Sequence, residues 1–320
     1  MTAHSEPATG VLLLAYGTPE TSDDVLPYFT HIRGGRAPSA EALEHLKQRY
    51  EYVGGRTPLL DITQQTARAL EVQLTSVGSY RVFVAMKHWH PFIGDVIPRI
   101  AALGIRRVIA IVLAPHYSRM SIGAYQRAVA DASRRLATQL DVAFVEHWGT
   151  HPLFIDLVAE HLHRGLATFS SQSDDSSVMP LFSAHSLPLR IRDWNDPYEE
   201  QLRASCAAVA DRAGLVQWRF AWQSAGHTGE PWLGPDIVEY LDTLHAQGVR
   251  RVLSVPIGFL CDHLEVLYDI DHEAQQRAAA LGITLRRSAM PNASPALVAT
   301  LAAIVGDVEH GELDTSSVAA

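Results

Sequence analysis

The chain has 320 residues, of which 47% are hydrophobic and 19% charged, and its 26 Lys+Arg against 35 Asp+Glu give a net charge of −9. That length suits two domains of ordinary size, and the composition excludes extensive disorder. The acidic balance argues against a nucleic-acid partner, which needs a basic field. The two cysteines, Cys206 and Cys261, are too few for a disulfide scaffold, a Cys-rich zinc site or a four-thiolate iron–sulfur cluster.

In chain order, the polar N-terminus lacks the features of a signal peptide. Apolar, β-branched runs then alternate with helical periods, the pattern of parallel sheets with crossover helices. Strands are expected at 10–16, 81–86, 107–114 and 142–146, then at 178–183, 218–222, 251–257 and 284–288. The clearest helices between them are 39–52, 62–75, 125–140, 153–166, 197–213, 236–247 and 264–281. A further helix is expected in the C-terminal segment, followed by a tail, 314–320, that should fray. No apolar run approaches a membrane span, so a soluble cytoplasmic chain is expected.

The two sets of four strands resemble each other. Ala102-Leu-Gly-Ile-Arg-Arg-Val108 is echoed by Ala246-Gln-Gly-Val-Arg-Arg-Val252, each a glycine-capped helix end leading into a strand. Leu12-Leu-Leu-Ala-Tyr-Gly-Thr-Pro19 lines up with Leu181-Phe-Ser-Ala-His-Ser-Leu-Pro188, which makes Tyr16 and His185 equivalent strand-tip residues. The expected organisation is a duplicated α/β chain: residues 1–150 and 151–293 as two Rossmann-like domains, with 294–320 packing back on the first. Two such domains facing one another would gather their strand tips on a shared cleft. Those tips carry Tyr16, Lys87-His88, His116, His147, His185, Gln223-Ser224 and Asp262-His263, a set suited to a large flat ligand, a metal, or both.

No G-x-G-x-x-G follows a strand, no phosphate loop occurs, and Ser183 and Ser186 lack a nucleophile elbow. His185 is then either the chemical centre or a hydrogen-bonded histidine in a strand-to-helix turn. Glu265, Asp269 and Glu273 recur every four residues and would line one helix face. Such a row suits divalent cations and proton removal, or else helix capping and a solvated face. Arg33, Arg36, Arg49 and Arg56 form a local basic cluster, either for ligand carboxylates or for surface ion pairs with Glu41, Glu44 and Glu51.

Seven motifs, in order, carry a family resemblance: Leu14-Ala-Tyr-Gly-Thr-Pro19, Tyr28-Phe-Thr-His-Ile-Arg33, Leu113-Ala-Pro-His-Tyr-Ser118, Ser183-Ala-His-Ser-Leu-Pro188, Trp222-Gln-Ser224, Pro231-Trp-Leu-Gly-Pro235 and Gly258-Phe-Leu-Cys-Asp-His-Leu-Glu265. Together they resemble a bacterial ferrochelatase of the soluble, monomeric type that inserts ferrous iron into coproporphyrin III. The resemblance implies two four-stranded Rossmann-like domains around a porphyrin cleft. It implies His185 and Glu265 as the metal-site and proton-accepting pair, with Asp269 and Glu273 continuing an acidic line for the metal. Tyr16 would face the product iron, from the opposite side of the ring to His185 on the repeat alignment. Arg33, Arg49, Tyr50, Thr57 and Tyr125 would hold porphyrin carboxylates, and Lys87 and His88 would lie at the rim.

Loss of two pyrrole protons suits a neutral His185 imidazole as acceptor. The implied substrates are coproporphyrin III and Fe2+, with no organic cofactor and no iron–sulfur cluster. A coprohaem decarboxylase is the implied receiver of product. Chelation of protoporphyrin IX, use of another metal such as cobalt, and a non-catalytic tetrapyrrole carrier are the alternatives. Gly34 is a departure at one carboxylate contact, standing where some relatives carry a second arginine.

Overall fold

The computed structural model describes residues 8–169, 177–226 and 229–317. They fall into two compact units, one within Met1–Trp148 and Asn292–Ala320, the other within Gly149–Pro291. Each is an α/β unit with a parallel sheet flanked by helices.

In the first unit the strands are β1 (Thr9–Ala15), β2 (Tyr80–Met86), β3 (Arg107–Val112), β4 (Asp141–Val145) and β9 (Thr315–Ser317). Their order is β2-β1-β3-β4-β9, parallel except for β9, which runs antiparallel along β4. Part of the tail expected to fray is thus an edge strand, where Ser316 Oγ accepts from Gln126 Nε2 at 2.6 Å. Residues 318–320 of that tail lie outside the described residues, as do residues 1–7 of the N-terminus. The interior strand β1 is apolar on both faces, with Val11 to Leu14 fully buried, because helices cover each side of a parallel sheet.

The helices of this unit are α1 (Val25–Ile32), α2 (Ala40–Tyr52), α3 (Leu59–Thr75), α4 (Ile93–Ala102), α5 (Ile122–Ser133) and, from the far end of the chain, α11 (Pro295–His310). Ser39 caps α2 by accepting from Ala42 N, and Ser294 caps α11 by accepting from Leu297 N. On one face of the sheet, Leu12, Leu14, Val108, Ala110 and Phe144 pack with Val96, Ile97 and Ile100 of α4 and Val129 of α5. Helix α5 ends at Ser133 rather than running to residue 140; its buried residues Ile122, Tyr125, Val129 and Ala132 end there, and the chain turns back to β4.

The second unit contains β5 (Met179–His185), β6 (Arg219–Gln223), β7 (Arg251–Val255) and β8 (Thr284–Arg287) in the parallel order β6-β5-β7-β8. This repeats the order of β2-β1-β3-β4. Gly104 and Gly248 take left-handed backbone (φ 80° and 83°) just before β3 and β7, as the internal repeat requires. Helices α6 (Pro152–Ala167), α7 (Tyr198–Arg212) and α8 (Ile237–Ala246) are continuous.

The helix expected over 264–281 is not. It is broken into α9 (Leu264–Leu267), a π-helical segment Asp269–Ala274 and α10 (Gln275–Ala280). Within the wide turn the Tyr268 carbonyl accepts from both His272 N (3.1 Å) and Glu273 N (3.0 Å). No helix among the described residues is long and apolar enough to cross a membrane.

Candidate active site

The chemistry-bearing cluster of the second unit is assembled at the carboxyl end of its sheet. His185 is the last residue of β5 itself, not of the turn beyond it. Its Nδ1 faces the Ser186 carbonyl, which can only accept, so Nδ1 carries the proton and Nε2 is left to face Glu265 Oε1 at 3.3 Å. Glu265 sits in the first turn of α9. Its second oxygen, Oε2, lies 3.4 Å from His263 Nε2, and His263 Nδ1 donates to the Cys261 carbonyl at 3.0 Å. One carboxylate is therefore bracketed by two imidazoles. Phe259 and Trp232 add aromatic walls, their ring centroids 6.5 and 6.4 Å from that of His185.

Two close approaches make this possible. A Cβ on Gly258 would meet the Ala184 Cβ at 2.7 Å, so only glycine lets the loop after β7 lie against β5. On the other side, the Tyr198 hydroxyl of α7 donates to the His185 carbonyl at 3.0 Å and fixes the strand end.

Burial opposes a charge on His185, but the adjacent Glu265 carboxylate and the Ser186 carbonyl outweigh it and raise the imidazole to about 9. Burial likewise opposes a charge on Glu265, yet His185 and His263 hold its carboxyl well below the usual carboxylate range. At neutral pH the resting pair is imidazolium and carboxylate. The carboxylate that makes Glu265 a partner thus favours the proton on His185, in the opposite sense to the neutral imidazole that loss of the pyrrole protons calls for.

Asp269 and Glu273 follow Glu265 by four and eight residues and lie on the π segment, and the Asp269 charge, like that of Glu265, favours the proton on His185. Asp269 is 5% exposed and accepts a short hydrogen bond from Ser224 Oγ, whereas Glu273 is exposed. Arg287 of β8 pins this region, donating from Nε and Nη2 to Asp271 (2.8 Å each) and lying 3.1 Å from Asp262. Among the described residues, no three His, Cys, Asp or Glu side chains are grouped so as to hold a metal ion.

In the first unit, Tyr16 follows β1 and is 43% exposed. Its ring lies 4.6 Å from that of His88 and 5.9 Å from Lys87 Nζ. Lys87 also sits 5.1 Å from the Tyr125 ring, and His88 Nδ1 lies 3.1 Å from His31 Nδ1. Burial, and then Arg127, lowers Lys87 to about 8; burial, Lys87 and His31 lower His88 to about 3 and keep it neutral. Thr57 and Tyr50 join a buried hydroxyl group around Thr18 Oγ1 at 2.9 and 3.3 Å, while Tyr28 donates to the Gly17 carbonyl at 3.0 Å.

Gly17 (φ 100°) has no room for a side chain, since a Cβ would lie 2.8 Å from Trp89 N. Arg33 caps α1 with its guanidinium 5.8 Å from the Phe29 ring, and Arg49 lies on α2 one residue before Tyr50. Arg56 of the basic cluster pairs with Asp61. Thus Tyr16, Lys87, His88 and Tyr125 are brought together, as are Tyr50 and Thr57.

Sequence reasoning did not assign a role to His263, although its placement two residues before Glu265 was a signal. It also named Gln223 and Ser224 only as strand-tip residues.

The two parallel sheets, with strand tips carrying His185 and Tyr16, define an α/β chelatase fold. The sirohydrochlorin chelatase SirB from Bacillus subtilis subspecies spizizenii, solved in complex with cobalt, superposes with a TM-score of 0.56 at 11% identity, over 97% of this chain and 100% of that one. The ferrochelatase family model matches residues 8–308, and the chain belongs to that family. A ferrochelatase of Herpetosiphon aurantiacus is 46% identical over 299 residues, 93% of this chain and 98% of that protein. A coproporphyrin III ferrochelatase of Oceanobacillus iheyensis is 39% identical over 300 residues, 92% of this chain and 95% of its own length.

Proposed function

We propose that this ferrochelatase inserts Fe2+ into coproporphyrin III, forming Fe-coproporphyrin III and releasing two pyrrole protons. The observation that carries the chemistry is the His185–Glu265 pair, an acid and a base 3.3 Å apart at a strand tip. Glu265, ionised and partly open to solvent, accepts a pyrrole proton. That proton removes the charge holding the proton on His185, so His185 releases its own and becomes a neutral imidazole able to face the metal. The Glu265 proton then passes to His185, which restores carboxylate and imidazolium, and a second pass takes the second pyrrole proton, so that two protons in all leave to solvent. Asp269 and Glu273 supply further negative charge along the path of the cation, and Tyr16 is the proposed ligand of the product iron.

Substrate choice is read from the first unit. Arg33, Arg49 and Lys87 offer positive charge, and Tyr50, Thr57 and Tyr125 offer hydroxyls, a set matched to several carboxylates. The name carried by the Oceanobacillus relative supports the four-carboxylate porphyrin. Fe2+ is a substrate, no organic cofactor is proposed, and with two cysteines in the chain no four-thiolate cluster is proposed. We further place the enzyme in the cytoplasm as a monomer that passes its product to a coprohaem decarboxylase.

Turnover of porphyrins with four and with two propionates tests the substrate. The four-carboxylate ring is expected to win by at least about tenfold in kcat/KM, the effect of losing one charge-assisted hydrogen bond or more. Equal or better turnover of protoporphyrin IX would overturn the coproporphyrin assignment and leave the metal chemistry standing.

A further inference from the structure

Gln223 is fully buried at the end of β6, directly beside His185 in the β5–β6 register. Its carbonyl accepts from Ser186 N at 2.7 Å, so its backbone already holds the turn that follows His185. Its side chain points the other way along the chemistry. Nε2 lies 2.9 Å from the backbone carbonyl of Glu265, and Oε1 lies 2.9 Å from Ser183 Oγ. The orientation of the amide follows from its partners. A carbonyl oxygen can only accept, so the NH2 end must face Glu265, and the Ser183 hydroxyl must then donate to Oε1. Ser183 is two residues before His185 on the same strand and the same face.

We infer that Gln223 is the positioning residue that sets the spacing of His185 and Glu265, and with it the metal discrimination of the reaction. One rigid amide ties the strand that carries the imidazole to the main-chain carbonyl of the residue that carries the carboxylate. The link matters because α9 has only four residues (Leu264–Leu267) and passes straight into the π segment, so it has little internal stiffness. Ser224 adds a second tie on the same strand end, to Asp269, one turn further on. A spacing held this way selects among divalent ions of different size and coordination preference, which a loosened pair would not. This inference rests on the reading of His185 and Glu265 as the reacting pair.

The test replaces Gln223 by methionine, which keeps length and volume and removes both hydrogen bonds. Insertion of Fe2+, Co2+ and Zn2+ is measured beside porphyrin binding, with His185→Ala and Glu265→Gln run in parallel. The expected result is a loss of Fe2+ insertion between about 10-fold and 100-fold, the cost of a small misplacement of reacting groups, with porphyrin affinity unchanged. The rates for the three metals should fall unequally, shifting the Zn2+ to Fe2+ ratio by at least about threefold. A merely structural role would lower all three rates in step.

Ser183→Ala, which frees the amide to rotate without emptying the site, should shift the ratio in the same direction by less, and it decides the matter if Gln223→Met does not fold. Rates that fall in proportion, or do not fall, overturn the inference while leaving the pair intact. If His185→Ala and Glu265→Gln retain full insertion, the underlying reading fails instead.

Discussion

Replacing His185 by alanine is expected to lower metal insertion by about three orders of magnitude while porphyrin affinity stays within about twofold of wild type. The imidazole is a third exposed (33%) at a strand tip, so its removal leaves no deep cavity, and the strand behind it keeps its ladder and the Tyr198 contact. What is lost is the acid half of the pair. Glu265 would keep only His263, 3.4 Å away, and its carboxyl should rise toward the ordinary range because burial is then less opposed. Initial rates followed by porphyrin absorbance, beside fluorescence quenching for binding, separate the two effects. Insertion that survives the change would remove His185 from the chemistry, and binding lost in parallel would make it a structural residue.

Glu265→Gln should be as damaging, about 10²- to 10⁴-fold in rate, and it carries a signature in pH. With the carboxylate gone, burial is opposed only by the Ser186 carbonyl and the Asp269 charge, and the pKa of His185 should drop from about 9. Ring titration by NMR reads this directly. In the wild type, at subsaturating Fe2+, metal competes with the imidazole proton, so insertion should rise with pH and level off near 9. Stability follows the same groups. The raised pKa of His185 stabilises the fold fully below about 6.5 and ceases to do so as pH climbs through about 9. The depressed Glu265 carboxyl acts in the opposite sense, stabilising above its ordinary value near 4.5 and losing that effect as the pH falls. The pair thus supports the fold between those limits, and the variant should show a flatter profile on the alkaline side.

The strands were legible because a parallel strand covered on both faces is a continuous apolar run. Val11 to Leu14 and Val108 to Val112 are buried throughout, as are Leu181 to Ala184 and Val252 to Val255. The internal repeat was legible because two glycine-capped helix ends must take left-handed backbone before equivalent strands. Helix α4 was harder, since Pro98 stands inside it and masks a series of apolar residues that the structure buries.

At the site, the residue types at the strand tips were readable and their electrostatics were not. Nothing in the order of residues says that the Ser186 carbonyl holds Nδ1, or that Asp269 is buried while Glu273 is exposed. Each depends on side-chain and backbone conformation that residue type and spacing do not specify. Strand β9 escaped notice for a related reason: three polar residues at a sheet edge have no period to detect.

The most direct measurement is the double variant His185→Ala with Glu265→Gln, compared with each single change under the same metal and porphyrin concentrations. Two groups that exchange one proton act as a unit, so the double variant should insert metal no more slowly than the worse single variant, within about threefold. Losses that multiply, each change adding its full factor to the other, would show two independent residues and contradict the pairing on which the proposed chemistry stands.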